Sequence, residues 1–292
     1  MMRSLLFVPG DSSRKFAKAM QTAAEALVLD LEDSVALSAK PAARETVCDM
    51  LKGDRAGKQL IVRVNAYDTG FTLTDLAKVM PSRPDAIMLP KCRGGADVAL
   101  LGDYLCALET AFDIPLGDTG IISVATETAE SIQGLPSYTP AHPRLRGLLW
   151  GAEDLMSSLG ATSNRDGTAA YSGPFQMARN QCLVAAASAG VVAIDTVCTN
   201  IKDLAYVAEE SSAARRDGFG AKAVIHPDHI APVNTAFTPT AEEIAWARAV
   251  IAAFEDNPGM GVVAIDGMMI DKPHERAARK IIVLADRSQN AL

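Results

Sequence analysis

Acidic side chains stand at or just after the ends of several short hydrophobic runs of this 292-residue chain, where they could bind a divalent cation. The carboxylates in question are Asp30, Glu32, Asp33, Glu127 and Asp154, and Asp195 directly follows the seventh run and is expected at the same place. Carboxylates that crowd together at neutral pH raise one another's pKa unless a cation compensates their charge. Oxygen ligands suit Mg2+, with Mn2+ as an alternative, and Mg2+ takes one or two protein carboxylates beside water and substrate. A metal site is therefore expected where the fold brings these side chains together.

Glu127 and Asp154 are the best placed pair of metal ligands, because they follow the fifth and sixth hydrophobic runs along the chain. No His triad or Cys cluster stands at the ends of the runs, so a zinc site is not expected. Arg63 lies at the end of the third run, and Lys91 follows the fourth run. This pair of cations beside a metal ion would suit an anionic small ligand.

The same residues also have structural interpretations. Glu127 could cap a helix that begins near Thr126–Ser131, and Asp154 could be a first-turn carboxylate that interacts with a helix dipole. The carboxylates after the second run could instead form ion pairs with the two cations at the rim of a barrel: Asp30, Glu32 and Asp33 with Arg63 and Lys91.

The hydrophobic runs that precede these residues number eight and alternate with amphipathic segments up to about residue 236. The runs are Ser4–Val8, Ala26–Leu31, Leu60–Val64, Ala86–Leu89, Gly120–Ala125, Gly147–Trp150, Val191–Ile194 and Ala223–Ile225. Each is almost continuously hydrophobic, as is typical of parallel strands buried on both faces. Eight strands separated by helices favour a closed (β/α)8 TIM barrel, whose chemistry lies at the C-terminal ends of the strands.

The pattern changes after residue 236. Thr240–Glu255 predicts a helix with a Thr cap. Gly261–Ile270 surrounds an Asp-Gly pair, which is typical of a hairpin. Pro273–Ala285 predicts a closing helix. We therefore expect a catalytic barrel over residues 1–236 and a C-terminal extension over residues 237–292 at a subunit interface.

Charge and motifs exclude several classes of protein. A net charge of −7 argues against a nucleic-acid partner, and no run approaches the ~18 apolar residues of a membrane span. No GxSxG elbow follows any run, which disfavours a serine hydrolase, and the Gly-rich pieces match neither the Rossmann nor the P-loop spacing. His226 and His229 are separated by a proline and lack a third ligand, which favours a turn. We expect a cytoplasmic location.

Together the runs and their flanking residues resemble the citrate lyase β-subunit-like family of the HpcH/HpaI aldolase superfamily. The motifs that carry the resemblance are RSLLFVPG, LVLDLEDSV followed by KPAAR, IVRVNA, IMLPKC, ATETAE, WGAEDLMSSLG, GVVAIDTVC, GFGAKAVIHPDHI and GMMIDKP. They occur in order over nearly the whole chain. The resemblance implies a barrel, generally trimeric, that uses Mg2+ to cleave or form 3-hydroxyacyl thioesters.

The resemblance also implies residue roles. Glu127 and Asp154 would be the metal ligands, with Glu127 also close to the substrate. Arg63 would bind the substrate and take part in catalysis, and we place Lys91 beside it as a second substrate-binding residue. The segment GFGAKAVIHP would meet the coenzyme A end of the substrate.

Other roles concern residues outside this set. Asp30 and Glu32 would hold metal-bound waters or orient Arg63, with Glu32 counted as catalytic, and Asp33 would lie with Asp30 behind the ligands. Asp271 of GMMIDKP would reach the active site of a neighbouring subunit and act there as an acid or base. This role requires a homo-oligomer, which we expect to be a trimer or a dimer of trimers.

The expected activity is a Mg2+-dependent carbon–carbon lyase. It would cleave or form citramalyl-, malyl- or citryl-CoA, with acetyl-CoA or a homologue and a 2-oxoacid as the other partners. Three enzymatic alternatives remain open: a malate-synthase-like condensation with thioester hydrolysis, a citrate lyase β subunit that acts on an acyl-carrier-protein thioester, and an aldolase that acts on free acids. Outside enzymes, the barrel could be a non-catalytic subunit or a ligand sensor.

Overall fold

Eight parallel strands form a closed barrel in sequential order, and helices connect them. The computed structural model describes residues 2–167 and 170–289. The strands are β1 (Ser4–Pro9), β2 (Ala26–Asp30), β3 (Gln59–Arg63), β4 (Ala86–Leu89), β5 (Gly120–Val124), β6 (Leu145–Leu149), β7 (Val192–Asp195) and β8 (Ala221–Val224). The structure confirms the predicted (β/α)8 TIM barrel.

Nine helices accompany the strands in the described part of the chain up to residue 236. They are α1 (Ser13–Met20), α2 (Lys40–Lys52), α3 (Thr72–Val79), α4 (Gly95–Ala111), α5 (Ala129–Gly134), α6 (Glu153–Leu159), α7 (Gly173–Ala189), α8 (Leu204–Asp217) and α9 (Ile230–Ala236). Over residues 2–167 and 170–289, no helix is both long and apolar enough to cross a bilayer.

Side chains that point into the barrel alternate with side chains that face the helices. Leu5, Val28, Ile61 and Met88 belong to the inner core, together with members from the other four strands. Because successive side chains of a strand point to opposite faces, the intervening residues pack against the outer helices. The barrel closes between β1 and β8, where Leu5 lies opposite Ala223.

Two strands begin two residues earlier than the hydrophobic runs predict. β6 starts at Leu145 instead of Gly147, and the exposed Arg146 interrupts its hydrophobic pattern. β8 starts at Ala221 instead of Ala223, because Lys222 is a strand residue although its side chain is charged. In both strands the second residue is charged, so the hydrophobic pattern does not include the first two residues of the strand.

Lys222 also explains why Asp195, which the strand ends placed at the mouth of the barrel, does not lie there. Ile194 fills the inner core, so the next side chain faces outward. Asp195 accepts hydrogen bonds from Lys222 Nζ at 2.6 Å and from Trp150 Nε1 at 2.7 Å. Burial opposes its ionisation, but the neighbouring Lys222 and Arg179 lower the pKa of Asp195 below its usual value. Asp195 is therefore a structural ion-pair partner outside the barrel.

Residues 2–233 form one compact unit, and a second compact unit runs from Asn234 onward. The second unit contains α10 (Ala241–Glu255), the antiparallel strands β9 (Val262–Ile265) and β10 (Met268–Asp271), and α11 (Lys272–Gln289). A capping box between Thr240 and Glu243 begins α10. The predicted helix, hairpin and closing helix are confirmed, while their location at a subunit interface stays a prediction.

Candidate active site

A cavity of about 700 Å³ lies at the C-terminal ends of the barrel strands. Five of the predicted site residues line it: Asp30, Asp33, Arg63, Glu127 and Asp154. The other two predicted barrel residues, Glu32 and Lys91, contact members of this set without lining the cavity. The structure therefore brings together the residues that were predicted from their positions at the strand ends. Glu32 and Lys91 lie behind the residues that line the cavity.

Arg63 and Asp30 form an ion pair with two hydrogen bonds. They are the last residues of β3 and β2 and lie opposite each other in the sheet. Arg63 donates from Nε to Asp30 Oδ1 at 2.7 Å and from Nη2 to Asp30 Oδ2 at 2.8 Å, which is the bidentate geometry of an arginine–carboxylate pair. Burial opposes ionisation of Asp30, but Arg63 outweighs it and holds the pKa of Asp30 below its usual value. The guanidinium is thereby fixed in position and orientation.

Glu32 joins this pair to Lys91. Its Oε2 lies 3.0 Å from Arg63 Nη1, and its Oε1 accepts a hydrogen bond from Lys91 Nζ at 2.6 Å. Burial raises the pKa of Glu32 above its usual value despite the attraction of Arg63. The ion pairs that the structural interpretation expected for Asp30 and Glu32 are present, and they hold Arg63 on two sides.

Two residues that the sequence did not single out hold the backbone of this segment. Lys40 is buried and donates from Nζ to the carbonyl oxygens of Leu31 at 2.8 Å and Glu32 at 2.9 Å. Asn65 donates from Nδ2 to the Leu31 oxygen at 3.0 Å. The position of Lys40 at the start of α2 does not predict that its ammonium contacts the backbone after β2. Asn65 stands two residues after the end of β3, and this position beside a strand end carried a clearer signal.

Glu127 lies deep in the cavity and is not a helix cap. The cap of α5 is Thr128, whose side chain accepts a hydrogen bond from the Ser131 amide. Glu127 Oε2 instead accepts the backbone N–H of Lys91 at 2.5 Å. Burial, followed by the charges of Glu32 and Asp154, raises the pKa of Glu127 to about 8. The negative charge of this carboxylate is therefore poorly compensated by the protein alone.

Asp154 is in the first turn of α6, so its helix-dipole interpretation stands beside its role in the cavity. Its Oδ1 lies 3.5 Å from Lys91 Nζ. Gly151 precedes this turn and allows it to approach the neighbouring strand, because a Cβ at residue 151 would lie 2.8 Å from Glu127 Cγ. The absence of a side chain at residue 151 thus leaves room for Glu127 beside the segment that leads to Asp154.

The donor set fits Mg2+. Glu127 and Asp154 both line the cavity and offer carboxylate oxygens, and burial leaves the charge of Glu127 poorly compensated. In the described residues, no three His, Cys, Asp or Glu side chains are grouped to hold a metal by themselves. A cation held by Glu127 and Asp154 would therefore keep positions for water and substrate, as Mg2+ prefers.

Replacing Gly151 by Ala tests this close approach. The added methyl group must displace Glu127, so we expect kcat/KM to fall about 10–100-fold, the usual cost of disturbing the surroundings of a metal ligand. Mg2+ titration and steady-state kinetics measure the effect. Gly173→Ala is the matched control, because a Cβ there meets nothing within 4 Å. Equal activity of the Gly151 variant and the control would contradict the expectation.

The cavity also has a basic and apolar side, of which the sequence analysis named the segment that ends in Ile225–Pro227 but not the lysines. Lys15 and Lys18 of α1 line it, and both are exposed. Ile225, His226 and Pro227 line it from the segment after β8. Two lysines three residues apart on a helix lie on the same face, and this spacing was the available signal. An extended ligand with phosphate groups and an apolar part would fit these features.

Asp271 lies in the second unit, at the end of β10. Its Oδ1 lies 2.6 Å from Nδ1 of His274, and this hydrogen bond lowers the pKa of Asp271 below its usual value. The pair is partly exposed to solvent. Its predicted location in a neighbouring subunit's active site stays a prediction.

Comparisons with known proteins identify a family and similar proteins. Residues 3–227 match the family described as HpcH/HpaI aldolase/citrate lyase. The chain is 33% identical to citrate lyase subunit beta of Leuconostoc mesenteroides over 97% of this chain and 93% of that protein. It is also 33% identical to a (3S)-malyl-CoA thioesterase of Cereibacter sphaeroides over 97% of this chain and 94% of that protein.

A solved structure is also similar to this chain. The crystal structure of CitE from Mycobacterium tuberculosis in complex with magnesium, acetoacetate and coenzyme A has a TM-score of 0.77 and 33% sequence identity. The match covers 97% of this chain and 98% of that one. The order of the strands, the residues at their ends and these similarities lead to one assignment: the chain belongs to the HpcH/HpaI aldolase/citrate lyase family.

Proposed function

We propose that this protein is a Mg2+-dependent carbon–carbon lyase that acts on a 3-hydroxyacyl-CoA such as citramalyl-, malyl- or citryl-CoA. The observation that carries the proposal is the meeting of Arg63, Glu127 and Asp154 in one cavity. The relatives support it, because one is named for citrate lyase, one for malyl-CoA, and a third was solved with magnesium and coenzyme A.

Glu127 and Asp154 would hold the cation. When bound there, Mg2+ would supply Lewis-acid stabilisation of negative charge on the substrate oxygens. Arg63 offers a rigid, permanently charged fork to the substrate carboxylate or to the thioester oxygen. Asp30 and Glu32 keep that fork in one orientation, so stabilisation needs little reorganisation during the reaction.

In cleavage the 3-hydroxyl group loses its proton to water, and the bond between C2 and C3 breaks. The electron pair of that bond moves into the thioester enolate, and C3 becomes the carbonyl carbon of the 2-oxoacid. The enolate then takes one proton at C2, so protons and electrons balance. Asp271 of a neighbouring subunit is the proposed group for this transfer. In the condensation direction the same carboxylate would act as the base that takes a proton from this carbon.

The basic side of the cavity supports a coenzyme A thioester. Lys15 and Lys18 would face the phosphates of the carrier, and the apolar surface of Ile225 and Pro227 would contact its less polar parts. Lysines bind phosphate as point charges and do not require a rigid geometry. An acyl-carrier-protein thioester shares the phosphopantetheine arm, so the carrier must be tested directly.

A coupled assay tests the proposal. The purified protein is offered malyl-, citramalyl- and citryl-CoA with Mg2+ or with a chelator, and release of glyoxylate, pyruvate or oxaloacetate is followed. We expect cleavage of one thioester that stops on chelation and resumes when Mg2+ is added. Free coenzyme A thiol without a 2-oxoacid would instead favour thioester hydrolysis, the activity for which the Cereibacter sphaeroides relative is named.

Mixed oligomers test the proposed role of Asp271. An Asp271→Asn chain and a Glu127→Gln chain are each expected to be nearly inactive, because each lacks a different half of a shared site. Mixing and reassembling the two should restore part of the activity, since some sites then receive an intact residue from each subunit. Light scattering checks that the variants assemble like the parent protein. Mixtures that stay inactive, or an active monomer, would contradict the role.

A further inference from the structure

Lys91 contacts both proposed cation ligands, one through its main chain and one through its side chain. Its backbone N–H donates to Glu127 Oε2 at 2.5 Å. Its ammonium lies 3.5 Å from Asp154 Oδ1, 2.6 Å from Glu32 Oε1 and 3.8 Å from Asp33 Oδ1. The ammonium is therefore a single positive charge among three carboxylates.

The backbone of Lys91 is held in an unusual conformation. Its φ is +49°, in the left-handed region that side chains other than glycine rarely adopt. Such strain persists where the surrounding structure enforces it, and it is concentrated at functional sites. Here the conformation directs the N–H to Glu127 while the side chain reaches Glu32, so one residue spans the site.

We propose that Lys91 is an internal counter-ion, which neutralises Asp154 and Glu32 in the metal-free protein and competes with the divalent cation for Asp154. The inference rests on the proposed metal site at Glu127 and Asp154. It assigns Lys91 a role in setting the affinity of that site, in addition to the substrate contact predicted from the sequence.

The competition follows from electrostatics. A divalent cation on Asp154 and an ammonium 3.5 Å from the same carboxylate repel each other, so binding must weaken or lengthen the contact of Lys91 with Asp154. The ammonium can still stay on Glu32, to which it is closer at 2.6 Å. Lys91 therefore stabilises the metal-free protein and lowers the affinity of the site for the metal.

Mn2+ binding to the full-length protein, measured by calorimetry, tests this role. Lys91→Met removes the charge and keeps the length of the side chain, so we expect Kd to fall about ten-fold, since a charge a few ångströms away is removed. Lys91→Arg keeps the charge and should bind with nearly the parent Kd. Lys52→Met is the matched control, because Lys52 is an exposed lysine that contacts Asp49 at 3.1 Å, away from the cavity. It should leave Kd unchanged.

Thermal unfolding gives a second measurement. Lys91→Gln is a second neutral variant, which is measured as well in case Lys91→Met folds poorly. Without cation, both neutral variants should melt below the parent protein, and Mn2+ should raise their Tm by more than it raises that of the parent. Adding Glu127→Gln to Lys91→Met should abolish the tight binding if it occurs at this site.

The outcomes separate the inference from the proposed function. Equal or weaker Mn2+ binding by the neutral Lys91 variants, with normal binding by the parent, overturns the counter-ion role and leaves the proposed metal site standing. Tight binding that survives Glu127→Gln overturns it as well, because the cation then lies elsewhere. No binding by the parent protein overturns both.

Discussion

Glu127→Gln and Asp154→Asn are each expected to lower kcat/KM by about three orders of magnitude or more. A bound metal contributes several kcal/mol of stabilisation to developing charge, and about 1.4 kcal/mol corresponds to a ten-fold change in rate. Each substitution replaces a carboxylate oxygen by a neutral amide and therefore weakens the site for Mg2+. Steady-state kinetics over a range of Mg2+ concentrations measure the loss.

The fold of the Glu127→Gln variant should be unaffected. The amide oxygen can still accept the hydrogen bond from the Lys91 N–H, which Glu127 Oε2 accepts at 2.5 Å, and a neutral amide needs no compensating charge in this buried position. Circular dichroism and the Tm without metal check this expectation. Full activity of either variant in a chelating buffer would contradict the assignment of both residues as metal ligands.

Arg63→Lys and Arg63→Ala are expected to separate the catalytic role of Arg63 from its structural role. Lysine keeps the positive charge but loses the planar fork that binds Asp30 through two hydrogen bonds. We expect kcat/KM to fall about 100-fold or more, the range found when one preorganised donor to a reacting oxygen is removed. Kinetics with the thioester identified in the coupled assay measure this loss.

The alanine variant should lose stability as well. It leaves Asp30 buried at 2% exposure without its partner, and removal of one member of a buried pair costs about 3–5 kcal/mol. Urea unfolding of the two variants and the parent protein measures the difference. Unchanged stability of Arg63→Ala would show that Asp30 does not depend on Arg63, and unchanged kcat/KM of Arg63→Lys would exclude the role of the fork.

The sequence was sufficient to predict the barrel because its signal is repeated eight times. Most of the strands are short, apolar and buried on both faces. Charged residues recur at the C-terminal ends of these strands. Arg63, Glu127 and Asp154 could therefore be assigned to one cavity without coordinates. The failures are at Arg146 and Lys222, where a charged side chain within a strand interrupts the hydrophobic pattern.

The sequence could not predict which side chains of a strand point into the barrel, or the backbone conformation of an individual residue such as Lys91. A continuously hydrophobic run does not reveal which residues point inward, so Asp195 was placed at the mouth although it pairs with Lys222 outside the barrel. Nothing in the sequence indicates that Lys91 has a positive φ or that Lys40 bonds the backbone near Glu32. These features depend on contacts between segments that are far apart in the chain.

The central claim is that a divalent cation held by Glu127 and Asp154 meets the Arg63 fork in one cavity. The anomalous scattering of Mn2+ in crystals grown with the metal and a 2-oxoacid tests it most directly. We predict an anomalous peak in contact with carboxylate oxygens of Glu127 and Asp154, with the carboxylate of the 2-oxoacid within reach of both the peak and Arg63. Metal bound only elsewhere, or an oxoacid outside this cavity, would contradict the claim.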